Sequence, residues 1–183
     1  MAQFIAFEKE AEVAGHAVMT CLSCFPEYFR ADVEGMLKEK NIVDIAPNKW
    51  FNLQNYLDVL KVVSTRYGAS TLFNVGVAIG EGAPSSSETT LESALSAWDA
   101  LYRAHHRNAY LGYIKLISFD YQAKKAVVEV KTPYPCHFER GLATALARKF
   151  KPQDAGFIDV QLDQNKPSRL DGADSSFYVI IWL

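Results

Sequence analysis

The sequence predicts an α+β fold in which a helical N-terminal half packs on a small, mostly antiparallel four-stranded sheet. Two observations carry that prediction. As far as His106 the apolar residues recur at intervals of three and four, the period of a helix. From Tyr113 onward the interval falls to two, and Val-rich and aromatic runs are closed by polar turns, the pattern of strands.

The elements follow in order. Glu8 to Phe25 has a mixed apolar pattern interrupted by Gly15 and is assigned to a first helix. Pro26 starts a second over Tyr28 to Lys40, with Phe29, Val33, Met36 and Leu37 on one face. Asn52 is a candidate N-cap for a helix that carries Leu53, Tyr56, Leu57, Leu60 and Val63 on one side and stops at Gly68. Ala69 to about Ile79 completes an αα-hairpin, and Gly76 on its apolar face would let another element approach closely. The Gly, Pro and Ser cluster from Gly80 to Ser87 is short enough to be a loop rather than a domain linker. Thr89 and Glu92 fit a capping box ahead of a helix bearing Leu91, Ala94, Leu95, Trp98, Leu101 and Tyr102, which ends near His105 and His106.

The period then changes. Tyr113, Lys115, Ile117 and Phe119 alternate with Ile114, Leu116 and Ser118, and after a polar turn Ala126 to Lys131 returns as the second arm of a β-hairpin. Pro133 and Pro135 end that arm, because each lacks a backbone donor and holds the residue before it extended. Leu142 to Phe150 reads as a helix whose first turn lies at or near Cys136 and His137. Phe157 to Leu162 and Ser176 to Leu183 are the third and fourth strands, and the unbroken apolar run of the last predicts cover on both faces.

Composition bounds the function. With 183 residues and no dividing linker, residues 1–183 are expected to form a single domain. Mean hydropathy is -0.06 and no apolar run approaches the roughly 20 residues that span a bilayer, so no membrane association is expected. No basic segment precedes an apolar one at the N-terminus, and three cysteines do not make a disulfide framework, which predicts a cytoplasmic protein. A net charge of -2, with no basic cluster beyond Lys124 and Lys125, argues against a nucleic-acid partner.

Several side chains carry possible chemistry. Cys21 and Cys24 have redox or metal spacing, but zinc would need a second pair and a thioredoxin-like site a βαβ setting, and the sequence offers neither. His105 and His106 at a helix C-terminus are either a solvated cap or pocket-facing groups. Cys136 and His137 at a helix start would have the thiolate favoured and the imidazolium disfavoured, yet adjacent residues there point apart and make a poor dyad. Glu139 and Arg140 form either a surface pair or a polar anchor for a ligand. No phosphate loop, dinucleotide fingerprint or His-Glu-x-x-His occurs. The expectation is therefore no enzyme, no catalytic residues and no metal site.

The hairpin from Tyr113 to Lys131, the corner from Pro133 to Gly141 and the closing Arg169-Leu170-Asp171-Gly172-Ala173-Asp174-Ser175-Ser176-Phe177-Tyr178 together resemble the 4-vinyl-reductase-type small-molecule-binding domain. Its superfamily also contains the haem nitric-oxide/oxygen-binding domains and the TRAPP tethering subunits. With the helix from Tyr67-Gly68 to Gly76, the resemblance spans about two thirds of the chain. It implies a sensory domain with an apolar pocket between helices and sheet, often in a dimer. Metal-binding members carry cysteines where this chain has Ser168 and Ser176, which leaves Cys136 alone. Haem-binding members have an axial histidine before the sheet and a Tyr-x-Ser-x-Arg motif; His105 and His106 lie near the first, and the second is absent.

The leading expectation is a pocket for a small apolar or aromatic molecule, lined by Trp50, Tyr56, Phe73, Trp98, Tyr102, His105, Tyr113, Tyr134, Cys136 and Phe138. A homodimer is expected and no cofactor. A dimeric scaffold without a ligand is the alternative, and haem-dependent gas sensing comes third.

Overall fold

The computed structural model describes residues 3–82 and 88–183. Its α+β architecture has two antiparallel sheets and six α-helices among the described residues. In chain order these are β1 (Glu12–Ala14), α1 (Gly15–Ser23), α2 (Glu27–Glu39), β2 (Trp50–Asn52), α3 (Leu53–Tyr67), α4 (Ala69–Gly82), α5 (Leu91–Ala104), β3 (His106–Arg107), β4 (Tyr113–Asp120), β5 (Lys125–Lys131), α6 (Cys136–Lys149), β6 (Ile158–Leu162) and β7 (Ser176–Trp182). The four-stranded sheet is antiparallel with order β4-β5-β7-β6.

A second sheet, β2-β1-β3, escapes sequence analysis because its strands are two or three residues long and show no alternation. Its register pairs Glu12 with Asn52 and with Arg107, and Val13 with Phe51 and with His106. The first predicted helix thus begins at Gly15, after a strand.

Local chemistry sets the helix ends. Asn52 caps α3 by accepting from Asn55 N–H at 3.1 Å, and Gly68 turns the chain into α4 with φ of 87°. The capping box of α5 uses Thr90 and Ser93 rather than Thr89 and Glu92: Thr90 Oγ1 accepts from Ser93 N–H at 3.1 Å and Ser93 Oγ from Thr90 N–H at 3.3 Å. Leu91 is the first helical residue, which leaves Thr89 one position too early. The α4 helix runs through Gly80 to Gly82, where a loop was expected; residues 83–87 of that loop lie outside the described residues.

One continuous core joins the apolar faces of α1 to α5 to the space between α6 and the large sheet. Ala126, Val128 and Val130 of β5 and Tyr178, Ile180 and Trp182 of β7 share one buried face with Ala143 and Ala147 of α6. The other face of β7 carries Phe177, Val179 and Ile181, which are half-buried or exposed, so only one side of that run is covered. Its aromatic and β-branched composition hides the alternation. In the hairpin, a register shift between Leu116 and Ser118 breaks the predicted two-residue rhythm and leaves Ile117 exposed.

The α4 helix crosses α6 at glycines. A Cβ on Gly76 would collide with the Phe138 carbonyl, and one on Gly141 with the Phe73 carbonyl. The close approach predicted for Gly76 is therefore backbone against backbone. Gly80 extends the contact, since a Cβ there would meet Ala145 Cβ at 2.5 Å.

Candidate functional site

Between α1, α4, α5, α6 and the start of β4 lies a cavity of about 470 Å³, within the usual range for small-molecule and cofactor sites. Trp98 and Tyr102 reach it from the inner stripe of α5. That helix is pinned to β4 by Asp99, which accepts from Ile114 N–H at 2.8 Å, and by Arg103, which donates to the Gly112 carbonyl at 2.7 Å. Tyr134 and Phe138 stack at 5.3 Å across the proline corner, and Tyr56 and Tyr102 meet Tyr134 edge-on at 6.4 and 6.3 Å. Five aromatic rings thus border the cavity, beside the aliphatic Ile79, Leu101, Ile114, Leu142 and Leu146.

The two adjacent histidines have opposite environments. His106 is buried, with Nδ1 2.7 Å from the Tyr102 carbonyl and Nε2 2.8 Å from the Tyr134 hydroxyl. A carbonyl can only accept, so Nδ1 carries the proton and Nε2 accepts from Tyr134. Burial pushes this imidazole down to about 4, which keeps it neutral, and both of its nitrogens are engaged. The half-buried His105 lines the cavity with no side-chain hydrogen bond among the described residues. Burial, and then the neighbouring His16, hold its pKa below the ordinary value, so it presents a neutral imidazole.

At the cavity floor is a buried polar network, in which Arg169 Nε has no hydrogen-bond partner among the described residues. Glu139 accepts from Thr132 Oγ1, from Arg169 Nη2 and, at 3.0 Å, from the Tyr178 hydroxyl, while Arg169 Nη1 donates to the Thr132 carbonyl. Burial raises the Glu139 carboxyl against the pull of Arg169 and the two hydroxyls. The partner of Glu139 is therefore Arg169, thirty residues on, while Arg140 lies over the Phe73 ring at 4.7 Å.

Of the ten residues expected to line a pocket, Tyr56, Trp98, Tyr102, His105, Tyr134 and Phe138 border this cavity. The other four do not. Trp50 lies on β2 beneath the Arg107 guanidinium at 4.2 Å, and Phe73 faces Arg140. Tyr113 turns its hydroxyl to Glu129 at 2.9 Å. Cys136 is buried beside Ser176, its Sγ 3.3 Å from the hydroxyl. Its thiol is raised by burial and by Glu139, the reverse of the lowering expected at a helix start. Cys21 is likewise buried and pushed up to about 12. Among the described residues no group of three or more His, Cys, Asp or Glu could hold a metal ion.

Sequence reasoning missed His16 and Thr20, which enter the cavity from α1, and left Glu139 open. The signal for the first two was their four-residue spacing, which places them on one face of a helix.

An α+β domain with an aromatic cavity and an unengaged imidazole defines the class. No family model and no curated relative matches the sequence. Solved structures do match, and H-NOX domains are among them. An H-NOX protein from S. oneidensis superposes with a TM-score of 0.65 at 13% identity, covering 90% of this chain and 95% of its own. An oxygen-binding H-NOX domain related to soluble guanylate cyclases, in its oxygen complex, gives 0.62 at 16%, covering 92% and 94%. An H-NOX structure from work on heme distortion gives 0.65 at 18%, again covering 92% and 94%.

At such identities the fold is what is shared. It is the fold seen in these H-NOX domains; the 4-vinyl-reductase type and the tethering subunits gain no support from these matches. They overturn the expectation of no cofactor, since the neighbours are haem proteins. The cavity fits such a group in its apolar aromatic wall and in the neutral imidazole of His105, a suitable iron ligand. Among the described residues its lining contains no lysine or arginine, so carboxylates of a porphyrin would find no such cation there. No described helix is long and apolar enough to cross a membrane.

Proposed function

We propose that this chain is a non-catalytic sensory domain that holds haem in the aromatic cavity, with His105 as the iron ligand. One observation carries the reading: an imidazole held neutral and free of side-chain hydrogen bonds borders an apolar cavity, in a fold shared with haem-binding domains. Bound haem would supply an iron centre for a diatomic gas, tuned by its axial ligand and the polarity of the pocket. His105 binds, and Trp98, Tyr102, Tyr134 and Phe138 exclude water. His106 and Tyr134 hold that wall in one arrangement through their mutual hydrogen bond.

Titrating purified protein with haemin tests this. The expected result is a saturable Soret band at one haem per chain, with affinity falling at least about tenfold in His105→Ala. Absence of a Soret band in the wild type overturns the reading.

The lack of any lysine or arginine among the described lining residues favours a second reading, a neutral apolar ligand without iron. In that case a ligand present at about a hundred times its Kd raises the melting temperature by about 5–10 °C, while haemin raises it not at all.

A further inference from the structure

We propose that the cavity takes an organic cation, an ammonium group carried on an apolar body, with its charge held between aromatic rings and the Glu139 carboxylate. The inference shares with the second reading above a ligand without iron, and differs from it in the charge of that ligand.

The charge of the lining is one-sided. Among the described residues that border the cavity, Glu139 is the only Asp, Glu, Lys or Arg. Its partner Arg169 stands outside the lining, so the ion pair presents its negative member to the cavity. The wall registers this field: burial first and then Glu139 push the Tyr102 hydroxyl up, while the opposing pull of Arg169 is weaker. The carboxylate also has capacity left. Its Oε2 accepts from Arg169 and Tyr178, but Oε1 accepts from Thr132 alone, which leaves one lone pair of Oε1 uncommitted among the described residues.

The rings supply the rest. Tyr56 and Tyr102 meet Tyr134 at 68° and 84°, and Phe138 stacks on Tyr134 at 20°, so the ring planes stand to one another as the walls of a box. The phenol hydroxyls are spent on the protein: Tyr56 bonds Cys21, Tyr102 the Leu111 carbonyl and Tyr134 the His106 imidazole. What remains for a ligand is π surface, whose negative face attracts a cation. Elsewhere the molecule covers such rings with its own cations, Arg107 on Trp50, Arg140 on Phe73 and Lys166 on Phe177. Among the described residues no lysine or arginine borders the cavity to do the same.

The same features turn other guests away. A carboxylate or phosphate would meet Glu139 with no cation in the lining to offset the repulsion. The neutral imidazoles of His105 and His106 add no repulsion to a cation.

Calorimetric titration of the full chain with benzyltrimethylammonium and with 2,2-dimethylpropylbenzene tests this, because the two probes share a shape and differ in charge. The cation should bind saturably at one per chain and at least about tenfold more tightly than its uncharged counterpart, and benzoate should not bind. Glu139→Gln, which keeps the side-chain shape, should weaken the cation about tenfold and leave the uncharged probe unchanged. Should that variant fail to fold, Trp98→Leu removes a ring from the wall without touching the polar network, and should cost the cation about threefold more than the uncharged probe. Equal or tighter binding of the uncharged probe, or equal losses of both in these variants, overturns the proposal and leaves the second reading standing. If neither probe binds while haemin still gives a Soret band, the proposal falls and the haem reading stands. If neither the probes nor haemin bind, the cavity is no ligand site and all of these readings fall together.

Discussion

Replacing Arg169 by methionine isolates the energetics of the cavity floor. The Arg169 and Glu139 side chains are 1% and 3% exposed, and the guanidinium donates both to the carboxylate and to the Thr132 carbonyl. Methionine fills similar volume but leaves a buried carboxylate with only hydroxyl donors and a buried carbonyl with one donor fewer. Breaking one partner of a buried pair costs about 3–5 kcal/mol. At roughly 2–4 °C per kcal/mol for a chain of this size, the melting temperature should fall by about 6–20 °C.

The pH dependence gives a second check on the same variant. Burial raises the folded-state pKa of Glu139 above the ordinary 4.5, so the folded protein binds more protons than the unfolded one above that pH. The stability this group contributes is complete below about 4.5 and is lost as pH rises through the folded value. Without Arg169 the folded pKa rises further, so the deficit of the variant should widen as pH rises above about 4.5. Adding Glu139→Leu should recover most of the loss, because an apolar pair of similar volume avoids the desolvation cost. Urea denaturation of both variants and the wild type across that range measures all of this. A deficit below about 1 kcal/mol, or one independent of pH, refutes the argument.

Two further predictions concern the surrounding structure. His106 is held neutral with its pKa pushed down to about 4 from 6.5, so its contribution is present above 6.5 and is lost as pH falls toward 4, by about 3 kcal/mol in total. His106→Phe should flatten the stability profile between those values; parallel profiles for variant and wild type in urea would count against it. Gly76→Ala should destabilise by about 1–3 kcal/mol through collision with the Phe138 carbonyl, read as a lower denaturation midpoint, whereas Gly82→Ala, with open space around it, should not.

Much of the fold was legible because the long elements obey simple periods. Leu53, Tyr56, Leu57, Leu60 and Val63 mark α3 without ambiguity, and the Pro133 and Pro135 corner marks where β5 ends and α6 begins. The small sheet was not legible, since three residues show no period and its partners lie about forty and ninety positions away. The site divides in the same way. Tyr56, Trp98, Tyr102 and Tyr134 were found because aromatic load on apolar faces is visible in a sequence. His16 was not, because its relation to His105 exists only through β1 and β3. Glu139 looked like half of an adjacent pair with Arg140, and only the folded chain brings Arg169 to it.

The crossing of α4 and α6 has a mechanical consequence. With carbonyls of each helix seated against glycines of the other, no side chain intervenes that could change rotamer and absorb a displacement. The two helices therefore move as one rigid block. Expansion of the cavity on filling would therefore fall to α1 on the opposite wall, since α5 is pinned to β4, and α1 is joined to the end of α5 by the short ladder of β1 and β3. Any movement passed outward from the cavity is directed to that seam, where a few backbone hydrogen bonds are the compliant part of an otherwise stiff shell.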